Sequence, residues 1–83
     1  MEHIKETVKA YLLKEFLPGE NPEALTDIVP LITGGILDSL ATLKLVAFLE
    51  EQFNFEMLPY ETNADYMNTL GDITKLVQSK LKA

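Results

Sequence analysis

Three stretches of this chain repeat apolar residues at the spacing of an amphipathic helix, and none shows the sustained alternation of a strand ladder. That pattern confines the fold to helices packed on helices. Ile4, Val8, Tyr11, Leu12 and Phe16 mark a first helix from about Glu2 to Leu17. Pro18-Gly19 ends it, because proline cannot continue the hydrogen-bond ladder and glycine accepts the turn. A second helix starts at Asp38 or Ser39, either of which can cap the first turn, and runs to Phe53 or Asn54. A last helix spans Leu70 or Gly71 to Leu81, with Ile73, Leu76, Val77 and Leu81 on one face. Asp72 near its start and Lys80 and Lys82 near its end suit the helix dipole. Phe55 to Pro59 reads as extended, and a short helix fits around Ala64–Met67. The expected fold is therefore all-α: a small four-helix bundle of three main helices and one short one, with residues 1–83 as a single domain.

Two features do not fit a plain bundle. The first connection, residues 18–38, is long, and Asn21-Pro22, Pro30 and Gly34-Gly35 punctuate it. A helical turn is expected near Glu23–Ile28, and Leu25, Ile28, Val29, Leu31, Ile32, Ile36 and Leu37 should lay the segment across the core. Connections of this length inside small domains are often functional. The second feature is the second helix, which carries two apolar stripes. Thr42, Leu45, Val46, Leu49 and Phe53 form the core side; Leu40, Leu43 and Ala47 lie nearly opposite, beside Lys44 and Glu51. A surface helix needs only one stripe.

Composition narrows the function. Eighty-three residues, 47% of them apolar, suit one small core and leave little room for disorder. The chain has no cysteine, so thiolate metal sites, cysteine nucleophiles and disulfides are excluded. The N-terminus lacks the basic and apolar regions of a signal peptide, and the longest nearly apolar run, Leu40 to Leu49, is half of what a bilayer needs. The expectation is a cytoplasmic protein with no membrane insertion. Of the net charge of −6, most lies in residues 18–72, which hold ten acids and one base, Lys44. Nucleic-acid binding needs a basic face and is disfavoured. An acidic middle suits partners with basic docking surfaces, although charge alone is equally met by an acidic surface that keeps a small protein soluble.

The chemistry is concentrated in Gly34-Gly35-Ile36-Leu37-Asp38-Ser39-Leu40, which sets a serine at the mouth of a helix. A hydroxyl nucleophile needs a nearby base, and the only histidine, His3, sits at the N-terminus. No Gly-x-Ser-x-Gly elbow occurs. The serine is thus better placed to be modified by another enzyme than to catalyse, and no catalytic or metal-binding residue is assigned.

Gly35-Ile36-Leu37-Asp38-Ser39-Leu40 is similar to the Gly-x-Asp-Ser-Leu signature of the phosphopantetheine-dependent acyl and peptidyl carrier proteins. The resemblance covers nearly the whole chain: a leading helix, a long loop, Asp-Ser-Leu opening a helix, Phe48-Leu49-Glu50-Glu51-Gln52-Phe53, Phe55-Glu56-Met57, and Asn68-Thr69-Leu70 before the last helix. It implies a free-standing monomeric carrier, not an enzyme. Ser39 would receive covalent 4′-phosphopantetheine from coenzyme A through a phosphopantetheinyl transferase. Asp38 matches the aspartate beside it, associated with metal and phosphate chemistry in the transferase complex. Leu40 matches the exposed leucine that partners grip, with Leu43, Lys44 and Ala47 on the same surface. A loading enzyme and downstream biosynthetic enzymes would complete the partner set.

Ala41 and Lys44 stand where carriers of bacterial fatty acid synthesis typically have acids. The motif more closely resembles carriers of nonribosomal peptide, polyketide or D-alanine-transfer pathways. Fatty acid synthesis is the alternative pathway, and a cofactor-free helical adaptor that buries the Leu40/Leu43/Ala47 stripe is the alternative class. Glu50 and Glu51 read as a solvated helix face. Phe16, Phe53 and Phe55 read as core, Phe48 as semi-exposed, and Met57 and Met67 as gap-fillers near an acyl crevice.

Overall fold

The computed structural model describes residues 3–82, with the side chain of Lys82 outside the described set. Helix α1 covers His3–Glu15 and buries Ile4, Val8 and Leu12, one residue per turn along a single line. Glu2, the expected first residue, lies outside the described residues. Past Glu15 the N–H groups of Phe16 and Leu17 both donate to the Leu12 carbonyl, at 3.0 and 3.2 Å, and so satisfy a carbonyl of the last turn. Gly19 then takes a positive φ of 85° that few other residues accept.

Helix α2 spans Ser39–Phe53, α3 Ala64–Met67 and α4 Leu70–Lys82, with single 3₁₀ turns at Pro22–Ala24 and Pro59–Glu61. No strand occurs among the described residues. The expected turn at Glu23–Ile28 forms earlier and is shorter. Asn21 accepts the Glu23 N–H at 3.0 Å, and Pro22 presets φ for the first position, so the turn nucleates at Asn21.

Helix α4 packs against α1, α2 and α3 and supplies Leu70, Ile73, Leu76 and Val77 to the core. Leu81, expected on the same face, is exposed near the helix end. On α2 the core side comprises Ala41, Thr42, Leu45 and Leu49, while Val46 and Phe53 are half-buried. Half-buried Phe48 stacks on Tyr11 of α1, ring centroids 3.9 Å apart. Met57 and Met67, the latter on α3, are buried in the core. The long connection does cross the core, anchored by Leu25, Leu31 and Leu37, but Ile28 faces outward at 81% exposure.

The extended segment after α2 is held by side chains on both sides. Asn54, in the left-handed conformation at φ 58°, terminates α2. Glu50, half-buried and not simply a solvated acid, accepts the Met57 N–H at 2.8 Å. Glu61 accepts the Leu58 N–H at 2.8 Å and the Lys80 ammonium at 2.7 Å, with its side chain only 9% exposed. Lys80 therefore serves an ion pair between the Pro59–Glu61 turn and α4 and not only the helix dipole.

Candidate functional site

The connection between α1 and α2 delivers its last residues along a fixed path. Leu31 and Leu37 are buried, and the Leu37 N–H donates to the Leu31 carbonyl at 2.8 Å, which closes residues 31–37 into a loop with pinned ends. Gly34 and Gly35 form its outer bend. A Cβ at Gly34 would stand 2.2 Å from the Pro30 carbonyl oxygen, so the backbone can double back only without a side chain. Gly35 needs glycine for a different reason, a φ of 86°. The pair is a geometric requirement of this bend rather than a source of flexibility.

Asp38 follows in extended conformation, φ −82° and ψ −173°, and its Oδ1 accepts the Ala41 N–H at 2.8 Å. Asp38 is thus the N-cap of α2, which settles the choice between the two candidate caps. Ser39, the first helical residue, is exposed, and helix initiation does not require its hydroxyl. The first turn of α2 contains no acid, so Asp38 is the carboxylate that meets the positive end of the helix dipole, with exposed Ser39 next to it.

A groove of about 590 Å³ opens beside Ser39 between α2 and the start of α3. Ile32, Leu37 and Leu43 form its apolar lining, and Thr42, Thr62 and Asn63 its polar one. The polar donors are already committed: Thr42 Oγ1 to the Asp38 carbonyl, Thr62 Oγ1 to the Pro59 carbonyl and Asn63 Nδ2 to the Tyr60 carbonyl. The groove therefore offers shape and apolar surface more than hydrogen-bond donors.

Leu40 and Leu43 stand out at 63% exposure each, and Lys44 and Ala47 are exposed beside them, so α2 carries an unpartnered apolar stripe around one cation. Ala41 behaves differently. It is 8% exposed and belongs to the core, so the lack of an acid there reflects packing and does not bear on the outer face. His3 is exposed, with Nδ1 3.3 Å from Glu6 on its own helix. No cluster of three potential metal ligands occurs among the described residues.

The arrangement is one in which a serine is held out at a helix start, beside an open groove and an apolar stripe. Curated relatives match nearly all of the chain. The chain is 34% identical over 83 residues to the acyl carrier protein of Rhodopseudomonas palustris, covering all of both chains. It is equally similar, over the same span, to the acyl carrier protein of Nitrobacter winogradskyi. It is 31% identical over 77 residues to that of Chlamydia muridarum, covering 93% of this chain and 95% of the other. The chain belongs to the acyl carrier protein family. No family model matches it. Acyl carrier proteins are non-catalytic carriers that generally bear phosphopantetheine, so this carrier protein is not an enzyme. Among the described residues of this acyl carrier protein, no helix is long and apolar enough to cross a membrane.

Three polar contacts escaped the sequence. Asn68 accepts the N–H of Ile32, which lines the groove beside Ser39, while Glu50 and Glu61 accept the Met57 and Leu58 N–H groups of the segment after α2. Asn68 is 35 residues from its partner Thr33, and no local periodicity can announce such a pairing.

Proposed function

We propose that Ser39 is the attachment point of 4′-phosphopantetheine and that residues 1–83 work as one carrier domain for acyl or aminoacyl groups. The observation that carries this reading is the division of labour at the start of α2. Asp38 caps the helix, and Ser39 beside it stays exposed at the dipole's positive end. A transferase would join the Ser39 oxygen to the phosphate of the arm, with the adenosine bisphosphate portion of coenzyme A leaving. The arm supplies a terminal thiol on which cargo rides as a thioester. The protein's own contribution is to anchor the phosphate at a helix start, where a dianionic neighbourhood with Asp38 suits a transferase-bound divalent cation. Thr42, Thr62 and Asn63 would border the arm's first atoms. Leu40, Leu43, Lys44 and Ala47 form the face that transferase, loading enzyme and downstream enzymes would grip in turn.

The pathway we favour is of nonribosomal peptide, polyketide or D-alanine-transfer type, in the cytoplasm. It rests on Lys44 and on the motif's resemblance, because the burial of Ala41 removes that position from the argument. Fatty acid synthesis is the second reading, and the acyl carrier proteins of R. palustris and C. muridarum favour acyl cargo of some kind. Intact mass spectrometry tests the core claim. Incubation with coenzyme A and a broad-specificity transferase should add one phosphopantetheine to the wild type and none to Ser39→Ala. A gain that persists in Ser39→Ala removes the assignment, and no gain in either returns the chain to a helical adaptor role. Loading the arm in parallel with an adenylating enzyme and with a fatty-acid ketosynthase system then separates the two pathways.

A further inference from the structure

Ser39 follows the 31–37 loop, whose long-range polar attachments among the described residues all run to one asparagine. Asn68 sits between α3 and α4, and its backbone carbonyl accepts the Leu31 N–H. Its Oδ1 accepts two consecutive backbone donors, Ile32 N–H at 3.0 Å and Thr33 N–H at 2.9 Å. Thr33 Oγ1 lies within bonding distance of both ends of the amide, 3.3 Å from Oδ1 and 3.2 Å from Nδ2. The side chain is not spent on helix ends: Thr69 Oγ1, not Asn68, accepts the Asp72 N–H at the start of α4.

We propose that Asn68 is a positioning residue for Ser39. It holds the base of the 31–37 loop, and the loop fixes where the α2 start and its hydroxyl stand. This rests on the reading of Ser39 as the attachment point. The mechanical chain is short. Asn68 fixes Ile32 and Thr33, the Leu37 N–H closes the loop onto the Leu31 carbonyl, and Asp38 and Ser39 follow directly. Ile32 also walls the groove that opens at Ser39. Two backbone donors converging on one carbonyl oxygen require an acceptor of that reach. Leucine has the volume but no acceptor, whereas aspartate keeps Oδ1.

Docking through the α2 stripe does not involve Asn68, so misplacing the hydroxyl should lower the turnover of phosphopantetheine transfer more than it weakens docking. For Asn68→Leu the expected result is a kcat about tenfold below wild type with KM little changed, as the loss of two backbone hydrogen bonds to a carbonyl implies. Asn68→Asp should recover most of that turnover. Amide hydrogen exchange, measured on the same proteins before any transferase is added, should speed up at Ile32 and Thr33 in Asn68→Leu and stay slow at Val8 and Leu45. Simple destabilisation would instead raise the apparent KM, leave kcat in place and accelerate exchange throughout, and that outcome overturns the proposal. So does unchanged exchange at Ile32 and Thr33, or an Asn68→Asp variant no better than Asn68→Leu. If wild-type protein accepts no arm at all, the Ser39 reading has failed, whereas failure of Asn68 alone shows as wild-type kinetics in the variant.

Discussion

Two consecutive glycines precede α2, and each resists substitution for its own reason. At Gly34 the obstacle is space, since a Cβ would stand 2.2 Å from the Pro30 carbonyl oxygen, a backbone atom that cannot swing aside. At Gly35 the space is open and the obstacle is the positive φ of 86°. A left-handed conformation costs an ordinary residue about 1–2 kcal/mol, and asparagine less. A backbone clash has no rotamer escape and costs about 2–3 kcal/mol through displacement of the loop. The expected order of urea midpoints is therefore wild type, Gly35→Asn, Gly35→Ala, then Gly34→Ala. If Gly34→Ala unfolds at the same denaturant concentration as Gly35→Asn, the close approach to Pro30 is not a constraint.

Helices α1, α2 and α4 were legible because one period organises each: Ile4, Val8 and Leu12, for instance, are all buried along a single line. The Asp38-Ser39 helix start was legible too, although only the backbone geometry decides that Asp38 is the cap. Ile28 and Ala41 defeated the pattern, one apolar yet exposed and the other read as a surface difference yet buried, because burial in an irregular segment or at a helix margin depends on what lies opposite. Contacts far apart in the sequence were the hardest, and the Glu61–Lys80 pair is the clearest case. Burial of Glu61 alone would raise its carboxyl pKa, but the Lys80 hydrogen bond, the Leu58 N–H and the Lys80 charge together outweigh burial and hold it below its ordinary value of 4.5. With a lowered pKa in the folded protein, the unfolded chain takes up its proton first as pH falls. The pair's stabilisation is thus complete above 4.5 and declines as pH drops through the lower folded value. Asp65, Asp72 and Lys75 border the same hollow and set its local charge. Glu61→Gln should cost about 1–2 kcal/mol at neutral pH, between an exposed pair and a buried one. Its deficit against wild type should shrink once thermal unfolding is followed below pH 4.5. A deficit that stays constant down to acid pH would assign the effect to the amide's packing and not to the ion pair.

At the scale of the whole molecule, charge and docking meet on α2. The chain carries −6 overall, with ten acids and one base in residues 18–72, yet that base, Lys44, is exposed beside Leu40 and Leu43 on the stripe a partner would cover. Long-range attraction toward a basic partner comes from the net field, whereas the last few ångströms belong to the stripe. Lys44 therefore opposes steering by a basic enzyme at the point of closest approach. Lys44→Glu removes one positive charge and adds one negative, taking the net charge from −6 to −8 without touching a core contact. Its unfolding free energy should stay within about 0.5 kcal/mol of wild type, as surface changes usually do. With a transferase of basic docking surface, kcat/KM at low ionic strength should rise several-fold. The advantage should fade as added salt shortens the screening length from about 10 Å at 0.1 M toward about 3 Å at 1 M. Parallel measurement of kcat/KM against salt for both proteins gives two slopes, steeper for Lys44→Glu. Coincident slopes would mean that the approach is blind to the charge on α2. A slower Lys44→Glu at every salt concentration would mean that Lys44 meets an acidic group on the enzyme directly, so that α2 recognises its partners by contact rather than by field.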